Sequence, residues 1–354
     1  MSSHHRLCIC GHFAFGENKL NGQTIKTKVI TEALVQKIGE DNITRIDTCG
    51  GVKSLFRLPS ALAKALLHND NLIILPAYKG VRFITFILSF LRPFIHGCKV
   101  HYVVIGGWLP KYVRTKFLLK RCLMASVDTI YCETSTMIRQ LADSGIKNTV
   151  LMPNCKELAP ASAVSLQSES QEPYRLCTFS RVMQEKGLGE AVHAVEKINA
   201  EFGREVFALD IYGPVWPTQV EWFEQLQQSF PPSVHYKGTV PFDSTLDVLK
   251  GYFLMLFPTL FYTEGVPGTI IDAYASGLPV LASRWESFSD VVDEGQTGLG
   301  YEFGSFDALC AILGDIARHP GKIDGMRQHC LKKYQQFRPC NVIEALLEQL
   351  TGDH

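Results

Sequence analysis

The sequence predicts an α/β protein built from two doubly wound parallel-sheet domains, and three observations predict it. Short apolar runs suited to strands covered on both faces alternate with helical spacings, and the alternation occurs twice. Residues 160–173, rich in Pro, Ser, Ala and Gln, are composed like a linker and separate the two alternations. Glycine-bearing loops follow several of the apolar runs, at the strand ends where open α/β sheets bind ligands.

At 354 residues the chain has length for two or three domains with sizeable cores. Apolar residues make up 46% and charged residues 20%, the balance of a soluble globular protein. No apolar run reaches the roughly 18 to 20 residues that would span a bilayer. The net charge of zero conceals a division: residues 1–165 carry 21 Lys and Arg against 10 Asp and Glu, and residues 166–354 carry 14 against 25. A basic half beside an acidic half points to an anionic surface or ligand for the first. The eleven cysteines, with no C-x-x-C among them, are read as reduced thiols of a cytosolic protein, not as a disulfide framework or zinc site. The first residues lack a signal-peptide pattern, and His4 and His5 are not read as a metal site.

Residues 6–10 are the first strand candidate. A loop loosened by Gly11, Gly16 and Gly22 comes next, and then Ile25, Val29, Ile30, Ala33 and Leu34 take helical spacing, with Lys26 and Lys28 near the free amides of the first turn. This loop has neither the G-x-G-x-x-G of a dinucleotide site nor the G-K-[ST] of a P-loop. Strands are expected over 43–46, 72–75, 100–105, 129–131 and 149–151, with helices over 60–67, 81–95, 112–124 and 137–144. His12 and His101, each beside a strand, are read first as packed imidazoles and second as an acid or base. After the fourth strand, Gly106 and Gly107 let a ligand approach the backbone beside Trp108, a candidate acceptor-side wall. Two stretches suit a membrane surface: 81–95, with arginines near each end and four phenylalanines, and 111–121, with five basic residues and no acid. A core helix and a solvated face are the plainer readings of the same residues.

In the second half, strands are expected over 176–179, 207–211, 234–236 and 253–257, with helices over 188–202, 220–230 and 246–251. Arg181 and Lys186 stand on either side of a turn after the first of these strands. Two cations there suit a diphosphate, Arg forking across oxygens and Lys acting as a point charge; solvated loop cations are the alternative. Tyr212-Gly213-Pro214 and Gly238-Thr239-Val240 bring backbone close to a flat base. Pro339 should break the last helical run, leaving a separate final helix from residue 340.

The stretch 257–283 joins a buried strand, a glycine loop, a helix and a second buried strand. Gly265, Pro267 and Gly268 interrupt regular structure, and a helix starts near Thr269. Its unpaired first amides and its dipole suit a phosphate or carboxylate. Glu264 precedes the loop, Asp272 lies about one turn into the helix, and Pro279 restarts a strand.

Taken in order, Arg181 with Glu185-Lys186-Gly187, Ile211-Tyr212-Gly213, Gly238-Thr239-Val240, Phe257-Pro258, Glu264-Gly265 through Asp272-Ala273, and Ala275-Ser276-Gly277-Leu278-Pro279-Val280 resemble the donor domain of the GT-B-fold retaining glycosyltransferases of family-4 type, the glycosyl transferases group 1. The likeness spans roughly residues 174–303. In the first half it rests on Asn21-Gly22-Gln23 and Met152-Pro153-Asn154. The resemblance implies two Rossmann-like domains facing across a cleft: 1–159 on the acceptor side, a linker over 160–173, and 174–339 binding the nucleotide sugar, with 340–354 crossing back to the first domain. It implies that Arg181 and Lys186 bind the donor diphosphate and that Glu264 contacts the transferred sugar, these three being catalytic. It further implies that Val266, Pro267, Gly268 and Thr269 offer backbone to sugar and phosphate, that Asp272 holds the ribose, that Gly213, Gly238, Thr239 and Val240 line the nucleotide, and that Gly22 and Gln23 close over the diphosphate. The implied donor is a UDP-sugar first and a GDP- or ADP-sugar after it; the implied acceptor is a glycan or polyprenyl-linked glycan. Neither metal nor cofactor nor nucleic acid is implied. The implied setting is bacterial surface polysaccharide synthesis, in the cytoplasm, with the basic first domain meeting the anionic inner face of the plasma membrane.

Two positions depart from the family pattern. Asp272 stands where a second, longer glutamate is usual, and Gly106-Gly107-Trp108 stands where a histidine is often found. These departures keep open a catalytically silent partner subunit that binds nucleotide or glycan and supports another transferase. A nucleotide-sugar epimerase of the same fold would need acid/base carboxylates in the first domain that the sequence does not mark.

Overall fold

The computed structural model describes residues 6–15, 22–49, 51–161 and 171–351. The chain divides into two compact units, Met1–Glu157 with Phe337–His354, and Leu158–Gln336. Most of the stretch read as a linker, residues 162–170, lies outside the described residues.

The first unit runs β1 (Leu7–Gly11), α1 (Gly22–Ile38), β2 (Ile43–Asp47), α2 (Gly51–His68), β3 (Asn71–Ile74), α3 (Gly80–Leu91), β4 (Lys99–Val103), α4 (Leu109–Thr115), α5 (Phe117–Ser126), β5 (Thr129–Cys132), α6 (Ser135–Asp143) and β6 (Thr149–Leu151). Its strands pair in parallel in the order β2-β1-β3-β4-β5-β6. The sheet is covered on both faces, which is why its inner strands β1 and β3 are buried along their whole length rather than alternating. Cys8, Cys10, Leu72 and Ile74 pack with α2 and α3 residues such as Leu62, Leu66, Val81 and Leu88. The intervening Leu7, Ile9, Ile73 and Leu75 pack with Ile30 and Leu34 of α1 on the other face.

The second unit runs β7 (Tyr174–Phe179), α7 (Leu188–Phe202), β8 (Phe207–Tyr212), α8 (Val220–Gln228), β9 (Val234–Gly238), α9 (Thr245–Leu249), β10 (Leu254–Phe257), α10 (Gly268–Ala275), β11 (Val280–Ser283), α11 (Phe288–Val291), β12 (Gly298–Tyr301), α12 (Phe306–Arg318), α13 (Gly321–Asp324) and α14 (Arg327–Tyr334). Its parallel sheet has the order β12-β11-β10-β7-β8-β9. The chain then returns to the first unit as α15 (Pro339–Val342) and α16 (Glu344–Thr351), and Val342, Ile343, Leu346 and Leu350 join the α1 side of its core.

Several elements differ from the sequence reading. The helix expected over 60–67 begins two turns earlier, with Pro59 inside it. The helix expected over 112–124 is two helices, broken at Lys116, whose backbone is non-helical (φ −126°, ψ 82°). Pro339 interrupts the run as expected: Arg338 before it is extended (φ −74°, ψ 137°), and the proline opens the separate α15, where its missing N–H costs nothing. The elements from β12 to α14 have no counterpart in the sequence reading. Among the described residues no helix is long and apolar enough to cross a membrane, and the eleven cysteines are unpaired.

Candidate functional site

In the second unit the topology itself selects a location. From β7 the chain steps to β8 and β9 on one side, whereas β10 continues to β11 and β12 on the other. The carboxyl ends of β7 and β10 are therefore the switch point, the place where open α/β sheets bind ligands. The loop after β7 carries Arg181 and Lys186, and the loop after β10 carries Glu264 and leads into α10.

The two loops are fastened to each other. Leu260 donates its backbone N–H to the Glu185 carbonyl at 2.8 Å. Gly187 has φ 70°, and a Cβ there would lie 1.8 Å from the Pro258 carbonyl oxygen, so only glycine permits this approach. Lys186, in a 3₁₀ turn over Gln184–Lys186, pairs through Nζ with Oε1 of Glu264, which also accepts from Thr259 Oγ1 at 3.2 Å. Lys186 Nζ further lies 5.6 and 5.1 Å from the ring centroids of Phe257 and Phe261. Side-chain exposures of 12% and 17% leave this pair partly desolvated, which strengthens its attraction, yet within reach of an entering anion.

Arg181 is exposed, and its guanidinium lies 5.0 Å from the ring centroid of Trp216. Gln219 clamps the same loop from the α8 side. Its Oε1 accepts from Gln184 N at 2.7 Å and its Nε2 donates to Glu185 Oε2 at 2.8 Å, which holds the Glu185 carboxyl below the usual carboxylate range. Gly213, with φ 130°, passes so close to the β7 loop that a Cβ would stand 1.7 Å from the Ser180 carbonyl oxygen. Its N–H donates to the Gly238 carbonyl at 2.8 Å, and its own carbonyl accepts from Tyr236 at 2.8 Å. The backbones at Gly213 and Gly238 are thus brought together. Thr239 is exposed and Val240 half-buried beyond them.

α10 starts at Gly268 behind Pro267, and no side chain caps it. Thr269 donates through Oγ1 to the Phe179 carbonyl, tying the start of α10 to the end of β7. The first turn of α10 thereby stands at the switch point, where its amides and dipole favour an anion. Val266 is 5% exposed and serves as packing beside this loop. Asp272 is likewise 5% exposed, on the buried side of α10.

The first unit has its own switch point, between β1 and β3. A cavity of about 580 Å³ opens there, lined by His12, Gln23, Thr48, Pro76, Tyr78 and Lys79 among others. His12 accordingly faces a cavity rather than the core; its Nδ1 is 2.8 Å from Thr24 Oγ1. His101 is the packed imidazole: Nε2 donates to Asn71 Oδ1 at 3.0 Å, Tyr131 donates to Nδ1 at 3.1 Å, and burial lowers its pKa to about 4. Gln23 donates to the Leu75 carbonyl at 3.1 Å, which fixes it at the cavity edge, and Gly22 is the exposed first residue of α1. Asn21 lies outside the described residues.

Lys26 is not available to a ligand, contrary to the reading of the α1 first turn. Lys26 Nζ is buried and bonds Glu133 Oε1 at 2.6 Å and the Val104 carbonyl at 2.8 Å. Glu133 in turn accepts from the N–H of Gly106 at 3.0 Å, so the pair fixes the Gly106-Gly107-Trp108 turn. Gly106 has φ 80°, Gly107 is buried, and Trp108 donates to the Ile105 carbonyl at 2.7 Å. Trp108 stands edge-on behind Tyr78 at 5.3 Å, one step back from the cavity.

Residues 173–318 match the family model described as glycosyl transferases group 1. The Arg181–Lys186 loop, Gly213, Glu264 and α10 all fall inside that span, in the geometry just given. This part of the chain is therefore similar in sequence to the glycosyl transferases group 1. The chain as a whole has the GT-B fold, as its similarity to solved structures shows. It superposes on HepE of Anabaena, solved in complex with UDP, with TM-score 0.75 at 12% identity, covering 98% of this chain and 100% of that one. The lipopolysaccharide outer core galactosyltransferase WaaB gives TM-score 0.73 at 14% identity, covering 99% and 100%. In sequence, the chain is 24% identical over 159 residues to the amylovoran biosynthesis glycosyltransferase AmsK of Erwinia amylovora, covering 42% of this chain and 37% of that protein. It is 23% identical over 150 residues to the putative colanic acid biosynthesis glycosyltransferase WcaL of Salmonella typhimurium, covering 41% and 36%. The matches therefore reach little more than a third of either relative's length.

Within residues 173–318, sequence reasoning missed Trp216, Gln219, Thr259 and Phe261. None belongs to a periodic pattern, and their contacts exist only once the loops fold: Trp216 with Arg181, Gln219 with Gln184 and Glu185, Thr259 with Glu264, and Phe261 with Lys186.

Proposed function

We propose that the chain is a retaining, nucleotide-sugar-dependent glycosyltransferase of surface polysaccharide synthesis. In this reading Arg181, Lys186 and the first turn of α10 hold the donor diphosphate, and Glu264 meets the transferred sugar. The backbone at Gly213 and Gly238–Val240 lies by the nucleotide, with Asp272 toward the ribose. The observation that carries the reading is the Lys186–Glu264 pair at the β7/β10 switch point: a cation and a carboxylate held side by side next to an uncapped helix start. That is the pairing a phosphate leaving group and an adjacent sugar require. A UDP-sugar is the favoured donor, in keeping with the UDP bound by HepE.

The transfer step breaks the bond between the sugar C1 and the diphosphate oxygen and forms a bond from C1 to an acceptor hydroxyl oxygen. The hydroxyl proton passes to the departing diphosphate on the same face, so the configuration at C1 is retained. Arg181 and Lys186 stabilise the charge that develops on the leaving group, with no metal called upon in that role. The acceptor is a glycan or polyprenyl-linked glycan taken by the first unit, which meets an anionic membrane surface through its basic residues on the cytoplasmic side.

The test is transfer from UDP-, GDP- and ADP-sugars, read as nucleoside diphosphate release and as the anomeric configuration of the product. Release with retained configuration is expected. An inverted product overturns retention. Nucleotide binding without release from any donor overturns the enzymatic reading in favour of a silent partner subunit.

A further inference from the structure

A second cavity of about 580 Å³ lies on the first unit between α3 and the α4–α5 pair. Its lining divides by chemistry. Lys79, Arg82 and Lys116 supply three cations, and Phe83, Phe86 and Leu118 supply apolar walls. Lys79, Arg82 and Lys116 are exposed, and among the described residues no carboxylate stands in ion-pair reach of them. Arg82 has only a 3.5 Å contact to the Tyr112 hydroxyl. The sequence explains this lack of neutralisation: between Asp70 and Asp128 there is no acidic residue, while Lys and Arg occur nine times.

The apolar side continues past the cavity. Phe86, Phe90 and Phe94 on and after α3 are 43%, 62% and 84% exposed, and Phe117 and Leu118 at the start of α5 are 70% and 59% exposed. The buried face of α3 is Val81, Ile84, Thr85 and Leu88, so the phenylalanines are not core residues seen at an angle. They form a separate surface that water does not favour. This cavity also shares Tyr78, Lys79 and Phe83 with the switch-point cavity that holds His12 and Gln23.

We infer that this groove binds the phosphate of a lipid-linked acceptor: the phosphate or diphosphate between Lys79, Arg82 and Lys116, the hydrocarbon along Phe86, Phe90 and Phe117, and the attached sugar in the neighbouring cavity by His12 and Gln23. Charge complementarity selects the occupant. An anionic head joined to a long apolar chain satisfies both linings at once, whereas a free glycan leaves three unpaired cations and an open phenylalanine row. The inference rests on the glycosyltransferase reading and narrows its acceptor from any glycan to a lipid phosphate.

The test uses the full chain and vesicle flotation, with phosphatidylcholine vesicles carrying either undecaprenyl phosphate or phosphatidylglycerol at matched surface charge. Binding to the first is expected to exceed binding to the second by roughly tenfold or more, because the groove adds specific contacts to general attraction. Arg82→Glu with Lys116→Glu should abolish that preference, and the milder Arg82→Gln with Lys116→Gln should weaken it. Lys37→Glu with Lys64→Glu, an equal charge change elsewhere on the unit, should preserve it. Equal binding to the two vesicle types, or a preference left undiminished by Arg82→Gln with Lys116→Gln, overturns the inference. UDP titration of the same samples keeps the two readings apart: nucleotide binding without lipid preference removes only the groove assignment, and lipid preference without nucleotide binding removes only the donor assignment.

Discussion

Replacing Lys26 by Met tests the internal frame of the first unit. Lys26 and Glu133 are 2% and 3% exposed at their side chains and stand 2.6 Å apart, so neither charge has water to fall back on. Removing the cation leaves Glu133 buried without its Lys26 partner, while it still accepts from the Gly106 N–H. Breaking a buried pair from one side costs about 3–5 kcal/mol, where removing both charges together is often close to neutral. For a unit of this size that corresponds to a fall in Tm of roughly 6 to 20 °C. Calorimetry of Lys26→Met, Glu133→Gln and the double variant checks it. Each single variant should melt well below the wild type. The double variant should recover part of the loss, since the amide oxygen that Glu133→Gln introduces can still accept from Gly106. A Lys26→Met protein melting within about 1 °C of wild type would refute the claim that this pair holds the Gly106–Trp108 turn.

Three further outcomes are expected. Gly213→Ala forces a Cβ toward the Ser180 carbonyl at a backbone angle unsuited to alanine, so stability should drop by at least about 2 kcal/mol and UDP affinity should fall with it; an unchanged Tm sinks this. His101 is buried and neutral, with a folded pKa of about 4 below the unfolded value of about 6.5. Its contribution is therefore fully present above about pH 6.5 and lost as pH falls toward 4, on the order of 3 kcal/mol; His101→Gln should flatten the acid limb of Tm against pH, and an identical limb in both proteins would count against it. Transfer in the presence of EDTA should match transfer without it, because Arg181 and Lys186 carry the leaving-group charge in the proposed mechanism; loss of turnover restored by a divalent cation would show otherwise.

Much of the fold is legible because strands covered on both faces must be apolar along their whole length. Residues 176–179, 207–211 and 253–257 announce themselves in that way, and the helix over 188–202 has the bounds that α7 shows. What escapes the sequence is decided by tertiary contact. β12 holds two glycines in four residues and goes unread, yet a Cβ at Gly298 would meet the Val280 carbonyl at 2.3 Å and one at Gly300 would meet the Phe288 ring at 2.5 Å. Those glycines are what lets the strand lie against its neighbours. The helix read over 60–67 starts after Pro59, and the two turns before that proline go unread. Lys26 looks like a free cation near a helix start because its partner, Glu133, is more than a hundred residues away. At the donor side, residue types and order are enough to nominate Arg181, Lys186 and Glu264, whereas the clamps by Gln219, Thr259 and Trp216 depend on loops meeting in space.

The donor reading has its most direct test in a titration of UDP into the full chain. Wild type should bind saturably at one site. Lys186→Met removes a charge-assisted contact worth about 1.5–3 kcal/mol, so Kd should rise roughly 10- to 150-fold. It also leaves Glu264 without its counterion, and that carboxylate should repel the diphosphate, so adding Glu264→Gln to Lys186→Met should restore part of the affinity. A Lys186→Met protein that binds UDP as tightly as wild type would contradict the assignment of the β7/β10 switch point as the donor site.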